Sequence, residues 1–93
     1  MKQKLLQERP NTDTAFFTNS AEGISKIKEY TDAGRLTKTE SVSENGLVKT
    51  IEIEYTSIDD YDDFTANEVV NNEKANREKY CADNSISFSL TEE

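Results

Sequence analysis

Apolar and polar positions alternate most strictly over residues 85–90, where Ile86, Phe88 and Leu90 fall on one side and Ser85, Ser87 and Ser89 on the other. A period of two is that of a strand with one buried face. Leu47–Thr56 alternates too: Leu47, Ile51, Ile53 and Tyr55 share one side, and Thr50, Glu52, Glu54 and Thr56 the other. A second β-rich stretch, Leu36–Glu44, precedes it across Asn45-Gly46. Asn-Gly favours a two-residue type I′ hairpin turn, whose central residues both need positive φ. That loop sets Val42 opposite Lys49, Glu40 opposite Ile51, Lys38 opposite Ile53 and Leu36 opposite Tyr55.

Elsewhere the period lengthens to three or four. Ile24, Ile27 and Tyr30 form one helical stripe. Asn19 as N-cap, Glu22 three residues on and Gly34 as a left-handed terminator bound a helix at about 20–33. Ser57 with Asp60, and then Thr65 with Glu68, repeat the capping-box spacing. They predict a short helix near 58–64 and a longer one near 66–82, or a single bent helix. Ile58, Tyr61 and Phe64 mark the inward side of the first, and Val69, Val70 and Tyr80 that of the second. The long helix is poor in apolar residues, with Asn71, Asn72, Glu73, Lys74, Asn76 and Arg77 expected in water.

Thr14-Ala15-Phe16-Phe17-Thr18 has strand composition and predicts the first strand, with the two rings on opposite faces. Residues 1–13 then read as an extended N-terminal segment closing in a turn at Pro10-Asn11-Thr12-Asp13, ahead of a core over 14–93. The expectation is one α+β domain, 1–93, of order βαββαβ. This order resembles the split-βαβ, ferredoxin-like arrangement, a four-stranded antiparallel sheet with its helices on one face.

Composition tightens this picture. At 93 residues and 33% hydrophobic content the core is thin, so nearly every apolar side chain must be used. Eight aromatics (four Tyr, four Phe) and only three Gly and one Pro argue for a folded chain despite a net charge of −8. That charge disfavours nucleic acid and anionic membranes as partners. No apolar run is long enough to span a membrane, and Gln7-Glu8-Arg9 interrupts any signal-peptide core. Lone Cys81 has no internal disulfide partner, which predicts a reducing cytoplasm, or a host's cytoplasm for a virus-encoded protein. A thin core also favours a homodimer, with Phe16 or Phe17 covered by the second copy.

Chemistry-bearing constellations are few. The absence of His removes the imidazole base and the histidine metal site. Gly23, Gly34 and Gly46 are too scattered for a phosphate loop. Asp59-Asp60-Tyr61-Asp62-Asp63 could attract a cation, but it lacks the glycine and distal Glu of an EF-hand and reads as a helix start favoured by the macrodipole. Glu52 and Glu54 read as a solvated sheet face, where an RNA-binding sheet would carry aromatics. Cys81, with no cation adjacent in sequence, reads as packed. No catalytic, cofactor-binding or metal-ligating residue is assigned. Tyr55, Tyr61 and Phe64 are either core or the lining of a small apolar pocket.

The order and lengths of these elements, chiefly Asn19–Thr56, resemble the dimeric α+β barrel proteins of the antibiotic-biosynthesis-monooxygenase type. The resemblance implies two ferredoxin-like subunits facing each other through their sheets. Proteins of that type often place a His, Trp or Arg in a pocket between helices and sheet; with neither His nor Trp here, the activity does not carry over. Two functions are expected: a ligand-binding homodimer without catalytic residues, or a small acidic, phage-type protein that modulates another protein. An enclosed apolar cavity favours the first, and a cavity-free acidic monomer the second.

Overall fold

In the computed structural model, which describes residues 1–92, seven elements follow one another: β1 Lys2–Glu8, α1 Ala21–Asp32, β2 Leu36–Val42, β3 Val48–Tyr55, α2 Ile58–Ala66, α3 Glu68–Asp83 and β4 Ser87–Glu92. The fold is α+β, with the strands forming one antiparallel sheet in the order β2-β3-β1-β4. β3 lies antiparallel between β1 and β2, and β1 lies antiparallel between β3 and β4. Each strand–helix–strand passage therefore skips over one intervening strand. Among the described residues no helix is long and apolar enough to cross a membrane.

The hairpin has the expected register, with Leu36 opposite Tyr55, Lys38 opposite Ile53, Glu40 opposite Ile51 and Val42 opposite Lys49. Its turn is different. Only Gly46 has positive φ (74°), and the Gly46 amide donates to the Ser43 carbonyl at 2.9 Å. Ser43 then pairs with Val48 through its own N–H, so the loop is four residues long, not two. Asn45 acts through its side chain, accepting from the Leu47 amide at 3.0 Å, rather than by adopting a left-handed backbone.

The first strand is the main correction. Residues 14–18 form no strand; the sheet's inner strand is Lys2–Glu8, within the segment expected to lie outside the core. Its inward positions are Gln3, Leu5 and Gln7, so an alternation in space is invisible as an alternation in hydropathy. The two phenylalanines sit in a loop instead. Arg9 stacks on Phe16 at 4.3 Å, and Phe17 packs against Tyr80 with ring centroids 5.8 Å apart. Neither ring stands bare on a sheet face, so this motive for dimerisation falls away. The turn at Pro10–Asp13 is built by Asn11, whose Oδ1 accepts from the Asp13 and Thr14 amides at 3.0 Å.

The helix caps shift by a residue or two. Ser20, not Asn19, caps α1, its Oγ accepting from the Gly23 amide. The reciprocal bond expected from Glu22 comes from Glu73 of α3, which accepts from the Ser20 amide at 3.0 Å. Asn67, not Thr65, caps α3 with Oδ1, whereas Ser57 caps α2 as its spacing suggested. Gly34 follows α1 with φ of 73°.

All three helices contribute to one cluster with the sheet: Tyr30 of α1, Phe64 of α2 and Val70 of α3 meet Leu5, Leu36, Ile51, Ile53 and Tyr55. The opposite sheet face is polar, with Thr37, Thr39, Thr50, Glu52, Glu54 and Ser89 in alternating register. Lys2 and Glu52 pair across it at 3.7 Å. Leu6 and Val48 are its large apolar side chains, and both are half-buried.

Candidate functional site: a cleft between sheet and helices

A thin core leaves a gap where inward positions are polar. Between the helix-covered side of the sheet and α1, α3 and the 17–19 loop lies a cavity of about 420 Å³, within the usual range for small-molecule sites. Its floor comes from β1 and β3, its roof from α1 and α3. Ile24 lines its rim while remaining 57% exposed, so α1 does not close down on the sheet.

One end is aromatic. Tyr55 packs edge-on against Tyr61 at 5.2 Å and at a tilt against Phe64 at 5.8 Å, and Tyr30 meets Phe64 edge-on at 5.0 Å. Tyr55, Tyr61 and Phe64 are thus brought together, and all three line the cavity. The buried Tyr55 hydroxyl donates to Gln3 Oε1 at 2.7 Å, and burial, then the nearby Tyr61 and Glu92, push its pKa well above the ordinary phenol value. The Tyr61 hydroxyl donates to Glu92 at 2.6 Å.

The other end is polar. Gln7 is 1% exposed, lines the cavity, and its Oε1 has no hydrogen-bond partner among the described residues. Across the sheet it is flanked by Lys49 on β3 and Phe88 on β4. The Arg77 guanidinium, from α3, lies over the Phe88 ring at 4.4 Å, and its Nε is buried without an acceptor. Burial pushes the Arg77 pKa below the ordinary arginine value, with Cys81, Glu78 and Glu73 acting in the opposite direction; a guanidinium remains charged in water-accessible pH nonetheless. A buried polar group without a partner costs about 1–3 kcal/mol, so this end holds two unmet hydrogen-bonding demands, on side chains that each adjoin Phe88.

The carboxylates of the cleft are all engaged. Glu40 lies between Lys38 at 3.0 Å and Lys49 at 3.4 Å. Burial raises the Glu40 pKa, but hydrogen bonding and charge from Lys38, then Lys49, outweigh it and hold the carboxyl below the usual range. Glu73 is taken by Ser20, and Glu92 by Tyr61. Among the described residues Arg77 and Lys74 line the cavity with no carboxylate at ion-pair distance. With Lys38, Lys49, Lys74 and Arg77 set against Glu40, Glu73 and Glu92, the lining carries one more cation than carboxylate, within a chain of net charge −8.

Of the other residues weighed from sequence, Cys81, one helical turn from Arg77, lies near the cleft's polar end, and the carboxylates below lie apart from it. Asp60 and Asp63 bind Arg35 at 2.7 and 3.0 Å, and Tyr30 donates to Asp63, so two of the four aspartates at the start of α2 serve packing. Glu52 and Glu54 are on the uncovered sheet face. Cys81 is buried, and burial pushes its thiol pKa up. Among the described residues no cluster of three or more candidate ligands could hold a metal ion. Gln7 and Arg77 were missed. The available signal was Arg77's place seven residues after Val70 and four before Cys81, on the inward stripe of α3.

Comparison with known proteins adds little. No protein-family model matches the chain, and no curated protein does. Among solved structures it is similar to a provisionally assigned amidohydrolase/peptidase from Burkholderia cenocepacia, at 9% identity and a TM-score of 0.40. The match covers 98% of this chain and 26% of that one. A likeness this distant carries no argument about fold or activity.

Proposed function

We propose that this chain is a small-molecule-binding domain of the ferredoxin-like type, taking its ligand in the cleft between sheet and helices. The strand order and the two interleaved strand–helix–strand passages support the split-βαβ reading. The observation that carries the binding reading is the cavity of about 420 Å³ itself, left between sheet and helices where the inward positions Gln7, Lys38 and Lys49 are polar. A binding rather than a catalytic role follows from the engaged carboxylates: Glu40, Glu73 and Glu92 each already hold a partner, leaving the cleft no free general base. The uncovered sheet face offers a second copy little apolar area, so the proposed site is complete within one chain.

The test is a ¹H–¹⁵N NMR titration of the labelled protein with a set of small fragments, neutral and charged, at millimolar concentration. Shifts should gather at Leu5, Gln7, Val70 and Arg77. Shifts confined to the uncovered face around Thr50 and Glu52, or none at all, would sink the reading.

A further inference from the structure

α1 is fastened at its two ends by different physics. At the C-terminal end Tyr30 is 5% exposed, packs edge-on against Phe64, lies under the Arg35 guanidinium at 4.6 Å and donates to Asp63. Just beyond it the Thr56 amide, at the end of β3, donates to the Arg35 carbonyl at 3.0 Å. The N-terminal fastening is polar. Glu73 of α3 accepts from the Ser20 amide at 3.0 Å and from the Ser20 hydroxyl. Its carboxyl lies where a Cβ on residue 23 would have to stand, a close approach that only glycine permits there.

Between these ends the helix spans the cleft with little beneath it. Of its twelve residues only Gly23 and Tyr30 are buried, one at each fastening. Ile24 is 57% exposed and Ile27 is half-buried against the edge of the core, and both line the cavity. The loop before α1 is fixed as far as Phe17, which packs on Tyr80, while the Tyr80 hydroxyl donates to the Ala15 carbonyl at 2.7 Å. Residues 18–28 therefore bridge the cavity between two aromatic anchors. Among the described residues, every hydrogen bond that joins this bridge to another element goes to Glu73. Segments with few buried apolar contacts open at free energies below that of the whole domain, and lids over binding sites are drawn from them.

We propose that residues 18–28 form a lid on the cleft, with Glu73 as its latch. Release of Ser20 lets the first two turns of α1 lift away from α3 between the Phe17 and Tyr30 anchors, and re-forming the clasp closes the cleft. This lid presupposes that the cleft binds a ligand, and gives the ligand its way in. At Gly23 two effects oppose. Alanine is the better helix former, so Gly23→Ala steadies the segment if intrinsic helicity holds it down. Its Cβ also takes the place of the Glu73 carboxyl, so it frees the segment if the clasp does. Hydrogen bonds to an ionised carboxylate are the stronger of the two effects.

Native-state amide hydrogen exchange of the ligand-free protein, followed by NMR and corrected for intrinsic rates, reads the opening. In the wild type the Ile24–Lys28 amides should exchange about a hundredfold faster than those of Leu5 and Ile51, as a segment that opens apart from the domain does. Glu73→Ala and Gly23→Ala should each speed Ile24–Lys28 by a further tenfold or so, about the scale of one hydrogen bond to a charged group. Glu73→Gln, which still accepts from the Ser20 amide, should stay close to the wild type. An unchanged amide spectrum of the sheet checks each variant's fold. Wild-type protection of Ile24–Lys28 equal to that of Leu5 and Ile51 would mean that the segment opens only with the whole domain, and overturns the lid. Slower or unchanged exchange in Gly23→Ala overturns the latch. No ligand is added, so either failure leaves the cleft's binding to be judged by the fragment titration.

Discussion

Gln3 and Gln7 are the same residue type, on the same strand and facing the same way, and both are buried, at 9% and 1% exposure. Their surroundings differ. At Gln3 the Tyr55 hydroxyl supplies a hydrogen bond at 2.7 Å, and aromatic rings close over the pair. At Gln7 the cross-strand neighbours are Lys49 and Phe88, and the buried amide oxygen has no partner among the described residues. A buried amide with its partner present is part of the core; one without is stability given up for something else. The comparison teaches where to look for function in a chain that offers no motif: at the polar positions that the fold buries and does not satisfy.

The comparison can be attacked first at the closed end. Phe64 packs on both Tyr30 and Tyr55, so Phe64→Ala removes the centre of the aromatic cluster. The expected cost is about 3–5 kcal/mol, the range for a buried phenylalanine. Urea denaturation measures it; a loss under about 1 kcal/mol would mean that the aromatic end is not packed as described.

The pH dependence should also be set by the closed end on the alkaline side. Burial raises the Tyr55 pKa above its ordinary value of 10.0, and those of Tyr30 and Tyr61 rise as well. A raised folded value means stability that is fully present below about pH 10 and lost as pH climbs towards the folded value. On the acid side Glu40, Asp60 and Asp63 are held below the usual carboxylate range by their lysine, arginine and tyrosine partners. Their contribution is present above about pH 4 and lost as pH falls through the lowered values. Denaturation midpoints should be nearly flat between about pH 5 and 10 and drop on both sides. Tyrosinate absorbance rising fully near pH 10, with no loss of stability there, would contradict the buried Tyr55.

The same physics explains how much of the fold could be read from sequence. The β2–β3 register was legible because Ile51, Ile53 and Tyr55 alternate with Glu52 and Glu54, and one residue of slip would turn the apolar set to water. Gly34 and Ser57 were legible as helix punctuation because their roles are local. β1 was not, since two of its three inward positions are glutamines. Phe16 and Phe17 misled for the complementary reason: their strand-like composition serves a loop pinned by Arg9 and Tyr80, contacts that arise only in the folded chain. The inward stripe of α3 was hidden likewise, because Arg77 stands between Val70 and Cys81. Of the candidate site, the aromatic end was visible as Tyr55, Tyr61 and Phe64, while the polar end looked like solvated surface. Burial of a polar side chain is a tertiary fact with no local signature.

The most direct test of the contrast makes one substitution at two places. Gln3→Leu strips the Tyr55 hydroxyl of its acceptor inside a packed cluster and should lower stability by about 1–3 kcal/mol. Gln7→Leu removes an amide that has no partner and places apolar volume beside Phe88 and Leu5; it should leave stability unchanged or raise it by up to about 1 kcal/mol. Urea denaturation of the two variants alongside the wild type reads both, with unchanged slopes showing that the denatured states are comparable. The account predicts midpoints that move apart, down for Gln3→Leu and level or up for Gln7→Leu; midpoints that fall together by similar amounts would contradict it.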